Sequence, residues 1–279
     1  MRAIILTVGT LLLLCSAVGE DSGRGSRYVS IAAHRGGYGN DLEDSAPENT
    51  LANLEVAIRK GFDVYETDIR RTRDGVFVIV HDDVLDRETT GSGPVEELSI
   101  EEVKALKKRY RNGSASESQV ATLEELLRAG KGRIRFKPDL KPGVIDSFDE
   151  LAQLIHDLGM EKEVLIRTGL KDAAKISKAY AAGAPKIQIM FKVDRVDQVQ
   201  RVVREFSPST IQVNVEKEEA LSAGKREAIQ EAVRLGLVVE THSYSDFSQL
   251  SDLIQAGVRM VHTANPDATL TWLQKEGWR

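Results

Sequence analysis

The sequence predicts a single (β/α)8 barrel. Apolar runs of strand length alternate with segments of helical period from residue 29 to residue 279, and eight of those runs are each followed by a helix. Such alternation implies a parallel sheet covered by helices, and eight units are the number that closes into a barrel. No internal repeat or low-complexity tract interrupts the pattern, so one domain is the simplest organisation. A hydrophobic fraction of 41% with 29% charged residues supplies a sizeable core and excludes a disordered or collagen-like chain.

Residues 1–19 read as a signal peptide: Arg2 is followed by an apolar run from Ala3 to Cys15, with small residues Ala17 and Gly19 at a cleavage position. The run is shorter than the roughly 20 residues a membrane helix needs, so export to the periplasm or the medium is expected, without stable membrane insertion. Cys15 is the one cysteine, so the mature chain has no disulfide, and Leu14 is a poor residue to precede a lipidated cysteine. Residues 20–28 form a polar linker, and the barrel occupies 29–279.

Strand-like runs follow at Val29–Ala33, Phe62–Glu66, Val76–Val80, Ile134–Leu140, Val164–Ile166, Ile187–Met190, Ile211–Val215, Leu237–Glu240 and Val258–His262. The run Val76–Val80 follows the hairpin turn Asp74-Gly75, not a helix; setting it aside leaves the eight barrel units. Phe148, Leu151, Ile155 and Leu158 repeat at helical spacing and stop at Gly159. Ser99 with Glu102, and Thr122 with Glu125, have capping-box spacing at two further helix starts. The polar stretch Arg109–Gln119 reads as a surface loop, a small insertion after the second strand. The balance of 38 basic against 43 acidic residues, net -5, contains no basic block, so nucleic acid is not an expected partner.

In a closed barrel the reactive groups stand where strands end. The first strand ends in His34-Arg35-Gly36-Gly37, the second runs into Glu66-Thr67-Asp68, and the third ends in Asp139-Leu140-Lys141. Glu66 and Asp68 are two apart on a strand and face one side, where their charges repel unless a cation bridges them. With Asp139 they form a hard oxygen set suited to one divalent cation, Mg²⁺ or Ca²⁺. If Asp74-Gly75 is a two-residue turn, Asp68 lies opposite His81, which puts an imidazole beside that site. Plainer roles exist for each: acids at strand ends cap helices or form surface ion pairs, and His156 lies within a periodic helix. His242 and His262 end late strands, with structural or rim contacts the expected use.

The run His34-Arg35-Gly36, then Pro47-Glu48-Asn49-Thr50, Glu66-x-Asp68, Asp74-Gly75, His81-Asp82, Leu85-Asp86-Arg87 and Gly91-x-Gly93, resembles the glycerophosphodiester phosphodiesterases. The likeness is densest over residues 31–107; beyond them it rests on the βα pattern and the ending Thr263-x-Asn265-Pro266. It implies a metal-dependent barrel enzyme that cleaves a small-molecule glycerophosphodiester to sn-glycerol 3-phosphate and an alcohol. By similarity His34 and His81 are the acid/base pair, Glu66, Asp68 and Asp139 hold the metal, Arg35 contacts phosphate, and Glu48 and Lys141 complete the substrate pocket. Asp139 stands where the family usually has Glu, one methylene longer. The chain also departs in an acidic loop, Asn40-Asp41-Leu42-Glu43-Asp44, and in Arg167-Thr168-Gly169 and Glu240-Thr241-His242 at two later strand ends. Arg167 and His242 there favour a more anionic substrate than a choline or ethanolamine diester. Two other readings fit the same residues: a phospholipase-type barrel acting on lysophospholipid or sphingolipid, and a solute-binding barrel without catalysis. The low aromatic content, 5%, and polar loops rank the soluble diester above a bilayer substrate.

Overall fold

A computed structural model describes residues 27–37, 46–216, 219–242 and 244–279. The predicted signal peptide, most of the linker and the acidic loop 40–44 lie outside the described residues. The elements run β1 (Ser30–Ala33), α1 (Leu51–Arg59), β2 (Val64–Arg71), β3 (Phe77–Ile79), α2 (Ile100–Lys104), β4 (Lys107–Arg109), β5 (Ala115–Gln119) and α3 (Leu123–Gly130). They continue β6 (Arg135–Leu140), α4 (Phe148–Asp157), β7 (Leu165–Gly169), α5 (Ala173–Ala181), β8 (Gln188–Lys192), α6 (Val196–Phe206), β9 (Thr210–Gln212), α7 (Ala223–Arg234), β10 (Val238–Thr241), α8 (Phe247–Ala256), β11 (Met260–Thr263) and α9 (Pro266–Lys275).

Eight parallel strands, β1, β2 and β6 to β11, close into the expected (β/α)8 barrel. The parallel register runs around the ring and shuts where β1 meets β2, Ala32 opposite Val64 and Ala33 opposite Tyr65. As expected, the run after Asp74-Gly75 is not a barrel strand: β3 pairs antiparallel with the upper end of β2. Both capping boxes form, Ser99 with Glu102 and Thr122 with Glu125. The stripe on α4 buries Phe148, Leu151 and Ile155, and Gly159 follows at φ 61, the left-handed stop that glycine allows.

The strands sort their two faces sharply. Ile31, Tyr65, Ile69, Phe136, Ile166, Ile189, Ile211, Val239 and Val261 pack outward into one continuous core with the helices. The opposite face is apolar at Met190, beside Arg167, and at its base, where Ala32, Val64 and Met260 cluster. Above them the lumen holds polar side chains: Glu66, Asp68, Lys137, Gln212, Glu240 and His262 are all buried. Because side chains alternate along a strand, one apolar and one charged face is what the spacing Val64-x-Glu66-x-Asp68 encodes.

Asp63, just before β2, joins the first two strands to the chain end. It accepts from the backbone N–H of Ile31 at 2.8 Å and from the Tyr28 hydroxyl at 2.7 Å, and it pairs with Arg279. Burial pushes its carboxyl up, but these donors outweigh it and hold the pKa below the ordinary value. A depressed carboxyl adds stability that is complete above the unfolded pKa of about 3.9 and is lost as pH falls through the folded one. Asp63→Asn is therefore expected to lower stability by about 1–3 kcal/mol at neutral pH. It should also flatten the acid limb of a melting-temperature profile; a limb identical to that of the parent would remove Asp63 from this role.

Two expectations are corrected. The β2–β3 register is Arg71 opposite Phe77 and Ile69 opposite Ile79, which sets Asp68 against Val80, not His81. The loop is three residues, 73–75, because the Asp74 carboxylate is drawn out of the ladder: it accepts from Thr72 Oγ1 at 2.7 Å and caps the Ile100 N–H at 3.0 Å. Gly75 then takes φ 88 to bring the chain back. The stretch 109–119 is not a loop. It folds with its flank into the antiparallel hairpin β4–β5, turning at Asn112-Gly113 with Gly113 at φ 86. An Asn-Gly pair between short strands is the local signal for that hairpin.

Candidate active site

The site is built from strand ends on three neighbouring strands, β1, β2 and β6. After β1 the chain makes a tight turn over His34–Gly36, with Arg35 at φ 51 and Gly36 at φ 83. A Cβ on Gly36 would lie 1.6 Å from Asn53 Oδ1 and 2.3 Å from the Tyr65 ring, so no other residue fits there. The turn points the Arg35 backbone N–H at Glu66 Oε2, 2.8 Å away, and sends the guanidinium to Glu48 Oε1 at 2.9 Å and Asp68 Oδ2 at 3.5 Å. Pro47-Glu48-Asn49-Thr50 has a local reason as well. Thr50 caps α1 through the Asn53 N–H, and Asn49, at φ 54, donates to Asp68 Oδ2 at 3.3 Å while accepting from Thr67.

Oxygens of Glu66, Asp68 and Asp139 lie within 4.8 Å of one another. Lys141 Nζ sits 2.8 Å from Asp68 and 3.8 Å from Asp139. Burial pushes the Asp139 carboxyl up, and the Glu66 charge adds to it, against the pull of Arg167 and Lys141. Glu66 moves the other way: burial opposes its charge, but His34 when protonated, Lys137 and the Arg35 N–H hold its pKa below the ordinary value. Three hard carboxylates with unequal compensation fit a divalent cation, and these are the residues that would hold it.

His34 stands at the mouth of the lumen. Burial lowers its pKa, and the Arg35 and Lys137 charges lower it further against Glu66 and Asp68, so the ring is neutral near pH 7 and able to accept a proton. His81 is reached through a different chain of contacts. Its Nδ1 lies 2.7 Å from Asp82, which pairs with Arg87 at 2.5 Å, and Arg87 meets the same Glu48 oxygen at 2.9 Å. Burial opposes the Asp82 charge, but Arg87 and His81 hold its pKa at about 2. The two histidines therefore belong to separate clusters, joined where Glu48 meets both Arg35 and Arg87.

Several residues that shape the site carried no signal in the motifs. Glu88 is fully buried: one oxygen accepts the N–H groups of His81 and Asp82 at 3.0 and 2.7 Å, and the other meets buried Lys108 at 2.8 Å. The β4–β5 hairpin thus clamps the His81 loop through Lys108. Level with Asp139, Arg167 donates to it at 2.8 Å and to Gln212 at 3.1 Å, and Lys137 Nζ lies 2.8 Å from both oxygens of Glu240. Arg167, expected from its rim position to favour an anionic substrate, and Glu240 are both engaged in this network. His242 stacks on His262 at 4.3 Å. His156 is a surface residue paired with Glu161. A cavity of about 500 Å³ opens beside Glu48 and Arg87, walled by Arg109, Tyr110 and Arg111 of the hairpin.

The family model for glycerophosphoryl diester phosphodiesterases matches residues 34–275. The chain belongs to that family. Phosphodiester hydrolysis is the chemistry that comes with it. A glycerophosphodiester phosphodiesterase of Caldanaerobacter subterraneus subsp. tengcongensis is 24% identical over 258 residues, 88% of this chain and 98% of that protein. Bacillus subtilis YhdW is 35% identical over 128 residues, 45% of this chain, so the match spans only 51% of that relative. Among solved structures, a glycerophosphoryl diester phosphodiesterase from Parabacteroides distasonis superposes with a TM-score of 0.73 at 24% identity, covering 90% of this chain and 88% of that one. An Oleispira antarctica phosphodiesterase in complex with the product sn-glycerol-3-phosphate gives 0.69 at 21% identity, covering 89% and 98%. Both likenesses bear on the fold.

Proposed function

We propose that the protein hydrolyses soluble glycerophosphodiesters to sn-glycerol 3-phosphate and an alcohol, with one divalent cation, Mg²⁺ or Ca²⁺, on Glu66, Asp68 and Asp139. The observation that carries this reading is the convergence of those three carboxylates with Arg35, Lys141 and His34 on one barrel rim, in a chain that matches the family from residue 34 to 275. The product complex of the Oleispira relative supports the same product here.

When bound, the cation neutralises phosphate charge and favours charge build-up in the transition state. Arg35, held by Glu48 and Asp68, is placed to contact a second phosphate oxygen, and Lys141 moves from Asp68 to the same anion. One histidine removes the proton from the glycerol hydroxyl next to the phosphorus, that oxygen attacks, and a cyclic phosphate forms as the alcohol leaves. The other histidine protonates the departing oxygen. Water then opens the ring with the roles exchanged, restoring both protonation states. Neutral His34 suits the first proton acceptance, and His81, oriented through Nδ1 by Asp82, presents its other nitrogen for the donation.

Phosphorus NMR with glycerophosphocholine, glycerophosphoinositol and lysophosphatidylcholine, each with Mg²⁺, Ca²⁺ or a chelator, tests this. The expected outcome is glycerol 3-phosphate from a water-soluble diester, abolished by chelator. Turnover of the lysolipid alone would select the phospholipase reading, and silence on all three would favour a binding barrel. Export is proposed on the N-terminal pattern, and mass spectrometry of the secreted chain should find it cut near residue 19.

A further inference from the structure

We propose that His34, His262 and Glu66 form a second metal site, adjacent to the oxygen site and selective for a first-row transition ion of the Zn²⁺ class. Ligating atoms of the three residues lie within 4.8 Å of one another. The geometry uses three consecutive strands of the ring: Glu66 on β2, His34 at the end of β1 and His262 on β11, with Ala32 of β1 directly opposite His262. Glu66 and His262 are held by the strands themselves, and His34 by the tight turn that follows β1.

His262 is the decisive residue. It is only 4% exposed, and among the described residues neither ring nitrogen has a hydrogen-bond partner; Nε2 stops 3.3 Å from Glu66 Oε2. A buried polar group with no partner costs free energy that a fold ordinarily avoids, so such a ring implies something that completes it. His242 stacks on the ring at 4.3 Å with planes 18° apart, and His34 meets it edge-on at 4.9 Å, so its orientation is set. The donor chemistry then separates the two sites. Glu66, Asp68 and Asp139 are all oxygen and suit a hard ion, whereas two imidazoles and a carboxylate suit Zn²⁺ or its neighbours. Glu66 belongs to both sets, and its two oxygens allow it to serve both ions.

Filling the second site takes a His34 nitrogen out of proton exchange. Transition-metal occupancy is thus an inhibited state of the Mg²⁺-supported reaction. The metal site itself does not depend on the proposed hydrolysis; only the inhibition rests on that reading.

The test titrates the full chain, in excess Mg²⁺, with Co²⁺ followed by visible absorption, then displaces it with Zn²⁺. The expected result is one Co²⁺ with the intense bands of a low-coordinate, nitrogen-ligated ion, its binding weakened by more than about 100-fold in His262→Gln, beyond the loss a merely supporting residue causes. In parallel, ¹⁵N spectra of the five histidine rings of the parent chain should show two rings shifting with Zn²⁺, one of them lost in His262→Gln. Weak octahedral bands, unchanged affinity in His262→Gln, or no ring shifting in the parent chain would overturn the proposal. Should His262→Gln fail to fold, the parent's own absorption and ring shifts still decide. Nitrogen-ligated binding in a chain inactive on every diester would sustain this site and overturn the hydrolase reading instead.

Discussion

His34→Ala and His81→Ala are each expected to lower metal-supported turnover by about 10²- to 10⁴-fold, the range of general acid–base catalysis, while leaving the circular dichroism spectrum unchanged. The argument differs for the two. His34 lies at the mouth of a charged lumen, and burial together with Arg35 and Lys137 holds it neutral below the ordinary imidazole range. Its loss should remove the alkaline-favoured form of the enzyme, so the acid limb of the pH–rate profile disappears with it. His81 depends on Asp82, 2.7 Å away, and Asp82 on Arg87. Asp82→Asn should therefore reproduce part of the His81 loss without touching the carboxylates. Full turnover in either alanine variant would sink the two-histidine assignment.

The second large effect is on stability. Glu240→Ala leaves the Lys137 ammonium, 1% exposed, without its partner inside the barrel. Breaking a buried ion pair from one side costs about 3–5 kcal/mol, which in a chain of this size lowers the melting temperature by roughly 10 °C. Replacing both, Lys137→Met with Glu240→Leu, removes the stranded charge and should recover most of that loss, because a packed apolar pair avoids the desolvation cost altogether. The double variant carries a second signature. Lys137 is among the charges that depress the pKa of His34, His242 and His262, so removing it should move their titrations upward, readable by NMR. His242, brought down to about 4 chiefly by burial and next by Lys137, is the clearest reporter. A double variant as unstable as Glu240→Ala would show that the cost lies in Gln212 and the rest of the network, since Gln212 also donates to Glu240 at 2.5 Å.

Most of the candidate site could be read from local pattern. His34, Arg35, Glu66, Asp68, Asp139 and Lys141 lie at strand ends, and a parallel barrel gathers strand ends on one rim whatever the loops do. Glu48 was legible only as part of a motif, and its use as the shared support of Arg35 and Arg87 depends on residues 13 and 39 positions away. Glu88 and Lys108 were not legible. Their pairing needs the insertion to fold as a hairpin against the His81 loop, and a charged residue in a polar stretch gives no hint that it will be buried. The His81 register failed for a physical reason too: a side-chain cap, Asp74 on Ile100, lengthened the turn by one residue.

The sequence by itself determined the eight βα units, the alternation that puts helices outside and charge inside, and the identity of the groups at the rim. These follow from period, turn chemistry and capping, which act over a few residues. Only the tertiary structure decided which of those groups meet across the lumen. Lys137 and Glu240 are 103 residues apart and lie on strands that do not touch, and His262 faces Glu66 only because the last strand closes against the first. Closure fixes the stagger of all eight strands at once, so a contact across the barrel is a property of the ring and of no segment of it.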